Sequence, residues 1–199
     1  ILTHGHYDHG GGLGAFYGAN LRAKAYIRRE AFAPHYRADG GYIGLDPAYI
    51  WPSRICWTED VTNLWPGAYL CTCNGRPMAY GGATEGMYTQ MGRERQPDDF
   101  SHEQYLVLEE GGRRVVFSGC SHKGICNIAA WLRPDVLIGG FHLREDAAPA
   151  LVEQVGRRLL ELGGIYYTCH CTSQGAYARL SEIMGEKLRR LRAGDVAEI

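Results

Sequence analysis

The sequence predicts a layered α/β fold, and three observations carry that prediction. Short apolar and β-branched runs alternate with stretches of helical periodicity through the second half of the chain. Four of the short runs break into a histidine soon after their end, which places the chemistry along one edge of the sheets. Finally, 45% of the 199 residues are hydrophobic, enough for one sizeable core, so a single domain over residues 1–199 is expected.

Taken in order, Ile1 to Thr3 read as the end of a buried strand, followed by His4, His6, Asp8 and His9 and a turn at Gly10 to Gly12. Leu13 to Tyr17 suit a short helix and Lys24 to Ile27 a strand of alternating polarity. From Arg28 to Pro66 the pattern gives way to Gly, Pro and aromatic residues, the composition of a functional or surface loop. Gly67 to Cys73 is read as a strand with Cys71 and Cys73 on one face, and Asn74 to Ser101 as a polar, Gly-rich connection. His35 and His102 are taken as ordinary loop histidines.

A hairpin follows, Gln104 to Leu108 and Arg113 to Phe117, turned by Glu110-Gly111-Gly112. Its second strand runs into Ser118-Gly119-Cys120-Ser121-His122. Ile125 to Leu132 then suits a helix, and Asp135 to Ile138 is a short strand that breaks into Gly139-Gly140-Phe141-His142. Pro149 to Leu162 carries a helical apolar stripe, Ile165 to Thr168 leads as a strand into Cys169-His170-Cys171, and a last helix is expected from about Ala176 to Leu191. Its basic carboxyl end, Lys187, Arg189, Arg190 and Arg192, is read as complementing the helix dipole, and Asp195 to Ile199 as a closing edge strand.

Composition narrows the partners. Twenty-one basic residues against twenty-two acidic ones leave a net charge of −1, so no overall field argues for nucleic acid or an anionic membrane. No apolar run approaches the roughly 18 residues that span a bilayer. Seven cysteines with no C-x-x-C pair favour a reducing cytoplasm, and Cys71, Cys73, Cys169 and Cys171 read as small buried hydrophobes, with a second metal site built from those four as the alternative. The chain starts in mid-motif and without Met, so an amino-terminal truncation is expected.

The opening loop is where the chemistry concentrates. His4 and His6, two apart, can point to one side and share an ion, while Asp8 and His9 follow after the chain has turned and can serve a second. Imidazole nitrogen with one carboxylate suits zinc first, with manganese or iron as alternatives. Two such ions about 4 Å apart hold a bridging water whose pKa falls to roughly 7. Two sites need about six protein ligands, and the strand ends supply them: His4, His6 and His122 for the first metal, and Asp8, His9 and His170 for the second. His142 is then left to bind substrate, donating a hydrogen bond to an anionic group, with a satisfied histidine at a strand end as the alternative.

The H-x-H-x-D-H loop resembles the signature of the metallo-beta-lactamase superfamily. Its oxygen-reducing diiron branch usually carries Glu where His6 stands, so that branch is disfavoured. Together, HGHYDHGGGL, SGCSHKGICN, IGGFHL, YTCHCT and GDVAEI, with the connecting EAFAPHYRADGGYIGL and PDDFSHEQYLVL, resemble the dihydropterin-methyl-ribofuranosylaminobenzene-phosphate synthases of that superfamily along essentially the whole chain. The resemblance implies a four-layer αβ/βα sandwich, here lacking its amino-terminal strands, and metal ligands at His4, His6, Asp8, His9, His122 and His170. Cys120 stands where many superfamily members place a bridging Asp, as either a ligand or a lining group. Lys123 and Ser173 depart from the family pattern and bear on substrate identity.

These readings converge on a cytoplasmic dinuclear hydrolase acting on a small, anionic phosphoester, lactone or similar substrate, with Asp8 orienting or accepting a proton. Two alternatives stand beside it. One, implied only by the resemblance, is a pyrophosphate-releasing condensation of a pterin diphosphate with an arylamine. The other is a metal-binding or ligand-sensing protein without turnover.

Overall fold

The computed structural model describes residues 1–199, the side chain of Met91 excepted. The first half carries helices α1 (Tyr7–Gly10) and α2 (Leu13–Ala19) and strands β1 (Ala25–Ile27), β2 (His35–Arg37), β3 (Ile55–Trp57), β4 (Val61–Trp65), β5 (Ala68–Cys71), β6 (Met87–Met91) and β7 (Glu94–Pro97). Then come β8 (Tyr105–Glu110), β9 (Arg113–Phe117), α3 (Ile125–Leu132), β10 (Val136–Gly139), α4 (Pro149–Leu162), β11 (Ile165–Thr168), α5 (Gln174–Met184) and β12 (Leu188–Arg190). The fold is mixed α/β, as the alternation of elements predicts. Two compact units divide the chain: Ile1–Asn63, Leu70–Asn74 and Thr84–Tyr105 form the first, and Leu64–Tyr69, Gly75–Ala83 and Leu106–Ile199 the second.

In the first unit β1 pairs in parallel with β3, and β2, β6 and β7 form a small antiparallel sheet. Leu2, Leu13, Tyr17, Ile27, Leu45 and Ile55 pack as its core, with Phe32, Tyr49 and Trp57 against them. Arg54 is buried beside that core, donating to the carbonyl of Ala23 with its guanidinium 4.9 Å over the Tyr17 ring. The β6–β7 hairpin lies inside the segment expected to be a connection. Its strands are polar outside, with Glu94 to Pro97 all exposed, so they carry no apolar alternation to announce them. Likewise β2, β3 and β4 fall within the stretch expected to be irregular, where three to five residues are too few to show a period. Cys73, expected on the strand face of Cys71, stands beyond β5 in the left-handed region at φ 57°.

The second unit holds a seven-stranded sheet in the order β12-β11-β10-β9-β8-β5-β4, to which β5 and β4 bring only residues 64–69 within this unit. β8 and β9 are the antiparallel hairpin the sequence predicts, and Gly111 and Gly112 both take the positive φ, 57° and 77°, that a tight turn between strands requires. From β9 onward the strands are parallel and alternate with α3, α4 and α5. Parallel order matters because it places the carboxyl ends of β9, β10 and β11 on one edge.

The carboxyl terminus corrects two expectations. Helix α5 ends at Met184, not near Leu191, because Gly185 turns the chain at φ 53° and Leu188–Arg190 joins the sheet beside β11. Lys187, Arg189 and Arg190 therefore sit on a 3-10 turn and an edge strand, where Arg189 donates to the Tyr167 hydroxyl at 2.8 Å. That edge strand, not residues 195–199, closes the sheet.

Helices α4 and α5 meet at Gly156. A Cβ there would lie 3.1 Å from Leu180 Cδ2 and 3.3 Å from Ile183 Cγ2, so the approach depends on the missing side chain. Gly156→Ala is expected to be nearly neutral, since about 1 kcal/mol of helix propensity offsets the tight contact. Gly156→Val forces the helices apart and should lose about 1–3 kcal/mol. Urea unfolding of the two variants checks the contrast.

Candidate metal centre

The ligand loop is an extended segment rather than a strand. Leu2 donates to the Tyr26 carbonyl of β1 at 3.1 Å, and the Gln104 side-chain amide donates both to the Leu2 carbonyl at 2.6 Å and to the Tyr26 carbonyl at 3.2 Å, so a side chain clasps the loop to β1. His6 is the extended residue before α1, whose single turn carries Asp8 and His9. Gly5 sits between His4 and His6, and a Cβ on it would meet the Ala31 carbonyl oxygen at 2.3 Å. Only glycine lets the loop lie so close to that backbone.

This unit brings four of the expected ligands together. The His4 ring centroid lies 4.8 Å from that of His6 and 4.0 Å from that of His9, and Asp8 Oδ2 lies 3.6 Å from His9 Nε2. His4 and His6 are buried, His9 is half-buried and Asp8 is exposed. Burial, and after it the neighbouring imidazoles of His102 and His35, pushes the His6 pKa down from 6.5 to about 3. At neutral pH the ring is therefore uncharged, the form that offers a lone pair to a metal.

Beneath the loop lies a cluster that reading the sequence missed. His35 and His102, taken as ordinary loop histidines, are 1% and 2% exposed, and both face the carboxylate of Asp98. His35 Nδ1 is 2.7 Å and His102 Nε2 3.4 Å from Asp98 Oδ2, while Asp98 Oδ1 accepts the Phe100 amide at 2.8 Å. Burial pushes the Asp98 carboxyl up, but the hydrogen bonds from His102 and His35 outweigh it and hold the group well below the usual carboxylate range. His102 is itself pushed down by burial. The one signal in the sequence is the Asp98-x-x-x-His102 spacing; nothing local points to His35.

In the second unit the expected residues stand past the ends of three parallel strands: His122 after β9, His142 after β10 and His170 after β11. Ser121, His142 and His170 take left-handed backbone at φ 58°, 50° and 49°, a conformation that costs about 1–3 kcal/mol per residue and clusters at functional sites. His122 is buried, and its Nδ1 donates to the Ala83 carbonyl at 2.9 Å, which assigns Nε2 the lone pair. The His142 ring lies 4.5 Å from that of His122. The His142 amide points at Cys171 Sγ at 3.2 Å, and a Cβ on Gly140 would meet that sulfur at 2.4 Å. His170 is exposed and Cys120 buried.

The donors of the first unit fit a divalent ion: a buried, neutral imidazole at His6, the rings of His4 and His9 beside it, and one accessible carboxylate, Asp8. A family profile described as the metallo-beta-lactamase superfamily matches residues 1–68, the segment holding His4, His6, Asp8 and His9. A solved structure, Tm1679, described as a metal-dependent hydrolase of the beta-lactamase superfamily, superposes with a TM-score of 0.84 at 27% identity, covering 100% of this chain and 78% of that one. In its opening loop and in its fold the chain is thus similar to the metallo-beta-lactamase superfamily. It is also 25% identical over 152 residues to the uncharacterized protein MJ0448 of Methanocaldococcus jannaschii, a match over 72% of this chain that spans 57% of the length of that relative. The superfamily is metal-dependent, and the histidine loop it shares with this chain is the loop the first unit buries.

The depressed pKa of His6 makes a pH prediction. The unfolded ring takes up a proton below about 6.5 and the folded one only near 3, so unfolding gains protons and stability falls as pH drops between those values. Each pH unit within that window removes up to about 1.4 kcal/mol. Urea unfolding of metal-free protein from pH 7 to pH 5 should show this decline, and His6→Asn should flatten it.

Proposed function

We propose that this chain is a metal-dependent hydrolase whose centre takes two divalent ions, zinc before manganese or iron. His4, His6 and His122 are the proposed ligands of one, and Asp8, His9 and His170 of the other. The observation that carries the reading is the ligand loop: two buried imidazoles two residues apart and, one turn later, a carboxylate 3.6 Å from a third. The likeness to Tm1679, described as a metal-dependent hydrolase, supports it from outside. When bound, such ions polarise a carbonyl or phosphoryl oxygen and lower the pKa of the water they hold.

The chain's own groups supply the rest. Asp8 is exposed, where it can orient or accept a proton as well as ligate. To His142 we assign a hydrogen bond to a substrate oxyanion, a role supported by its position at a strand end 4.5 Å from His122. We take the substrate to be small and anionic, a phosphoester, lactone or similar compound, and the protein to work in the reducing cytoplasm. Among the described residues no helix is long and apolar enough to cross a membrane.

Zinc- or manganese-loaded protein assayed against phosphodiesters, lactones and thioesters, and against a pterin diphosphate with an arylamine, tests the proposal. Turnover of a single-substrate ester or lactone with about two ions per chain is expected. His6→Ala should lower kcat/KM at least about a hundredfold. Pyrophosphate release that needs both pterin and arylamine would replace the hydrolase with a synthase. Metal uptake without turnover of anything would leave a sensor.

A further inference from the structure

We infer that His102 is a positioning residue for the metal-ligand loop: its Nδ1 accepts the Gly5 amide hydrogen and fixes the peptide between His4 and His6, with Asp98 imposing the tautomer and His35 bracing Asp98. This rests on the metal reading of the loop proposed above. The decisive contact joins residues 97 apart in the chain, Gly5 N to His102 Nδ1 at 2.9 Å, and it is buried. An amide hydrogen can be accepted only by a ring nitrogen that carries none. The His102 proton therefore sits on Nε2, the atom facing Asp98 Oδ2 at 3.4 Å. Asp98 in turn takes the Nδ1 hydrogen of His35 at 2.7 Å, so the carboxylate is the common acceptor of two rings.

The segment around His102 grips the loop at further points. The Gln104 amide donates to the Thr3 carbonyl at 2.8 Å and its side chain to the Leu2 carbonyl at 2.6 Å, while the Thr58 hydroxyl donates to Gln104 Oε1 at 2.8 Å. From the opposite side Ala31 presses on Gly5 so closely that no side chain fits. The Gly5 peptide is thus held between a backbone wall and one ring nitrogen. Because the directions of the His4 and His6 side chains follow from that peptide plane, fixing it fixes both ligands.

His35, Asp98 and His102 also bring three ligand-type atoms within 4.8 Å of one another, which would suit a third ion. Hydrogen-bond polarity decides against that use. A metal on His102 Nε2 would move the ring proton to Nδ1, and two N–H donors would then face each other at the 2.9 Å contact with Gly5. The cluster serves to brace the loop, and its position directly under His6, whose ring centroid is 6.0 Å from His102 and 5.9 Å from His35, is where a brace belongs.

Two variants and one measurement on the unmodified protein test this. His102→Leu removes the acceptor, whereas His102→Asn hangs an amide oxygen on the same Cγ and can still accept from Gly5. Zinc affinity by competition should fall about 10–100-fold in His102→Leu, with an altered cobalt(II) absorption spectrum, and His102→Asn should recover most of both. Nitrogen-15 NMR of the wild-type ring should report an unprotonated Nδ1 with and without zinc, a readout that holds even if His102→Leu does not fold. Equal zinc affinity and equal cobalt spectra in wild type and His102→Leu, or a protonated Nδ1, would overturn the positioning role while leaving the metal reading intact. A wild-type chain that takes up neither zinc nor cobalt would instead overturn the metal reading, and the role of His102 in metal binding with it.

Discussion

Burial of His4 and His6 is the condition to which the rest of the first unit answers. A buried imidazole stays neutral and keeps its lone pair, but it can no longer lean on water to satisfy its other nitrogen or to steady its ring. Protein groups must do both, and they must do so in an extended loop that is not itself a strand. The solution is a clasp from far along the chain, residues 102 to 104, that bonds to Leu2, Thr3 and Gly5 in turn. The β6–β7 hairpin has its purpose here, because Asp98 follows β7 directly and its amide is anchored to the Met87 carbonyl of β6 at 3.0 Å.

The second unit reaches a comparable end by a different route. Parallel strands joined by helices leave their carboxyl ends on one edge, and the chain must turn sharply there to enter the next helix or loop. At Ser121, His142 and His170 it turns through left-handed backbone without glycine. Non-glycine residues hold that conformation only where surrounding bonds over-determine it. Around His142 those bonds are visible: the Phe141 amide donates to Thr172 Oγ1 at 2.9 Å, and the Thr168 and Thr172 hydroxyls lie 2.6 Å apart. In this unit the strain thus gathers in the loops that bear His122, His142 and His170, with Arg133 after α3 the one further case among the described residues.

What could be read from the sequence follows from the range of the forces involved. Helices Ile125–Leu132 and Pro149–Leu162 and strand Ile165–Thr168 form where their apolar periods and glycine stops predict. Leu188 and Leu191 continue an apolar spacing that a helix and a strand edge can share, and only pairing with β11 decides that α5 stops at Met184. The opening histidine loop was legible because its residues are neighbours in the chain. His35 and His102 were not, because the partner that gives His35 its role lies 63 residues away and the one that gives His102 its role lies 97.

The distinction between a ligand and a brace is carried by the backbone group each ring faces. His122 Nδ1 meets a carbonyl, that of Ala83, and so must carry the hydrogen and present Nε2 as a lone pair. His102 Nδ1 meets an amide, that of Gly5, and so must be bare, which commits its Nε2 to donating toward Asp98. The two side chains are chemically identical and both are buried beside histidine-rich loops. One backbone contact reverses their polarity, and with it the side of the ring on which a cation is welcome. Counting histidines within reach of one another therefore overstates the number of ions such a protein can hold. Asking of each ring whether its far nitrogen faces a C=O or an N–H separates the atoms that can coordinate from those that hold the coordinating ones in place.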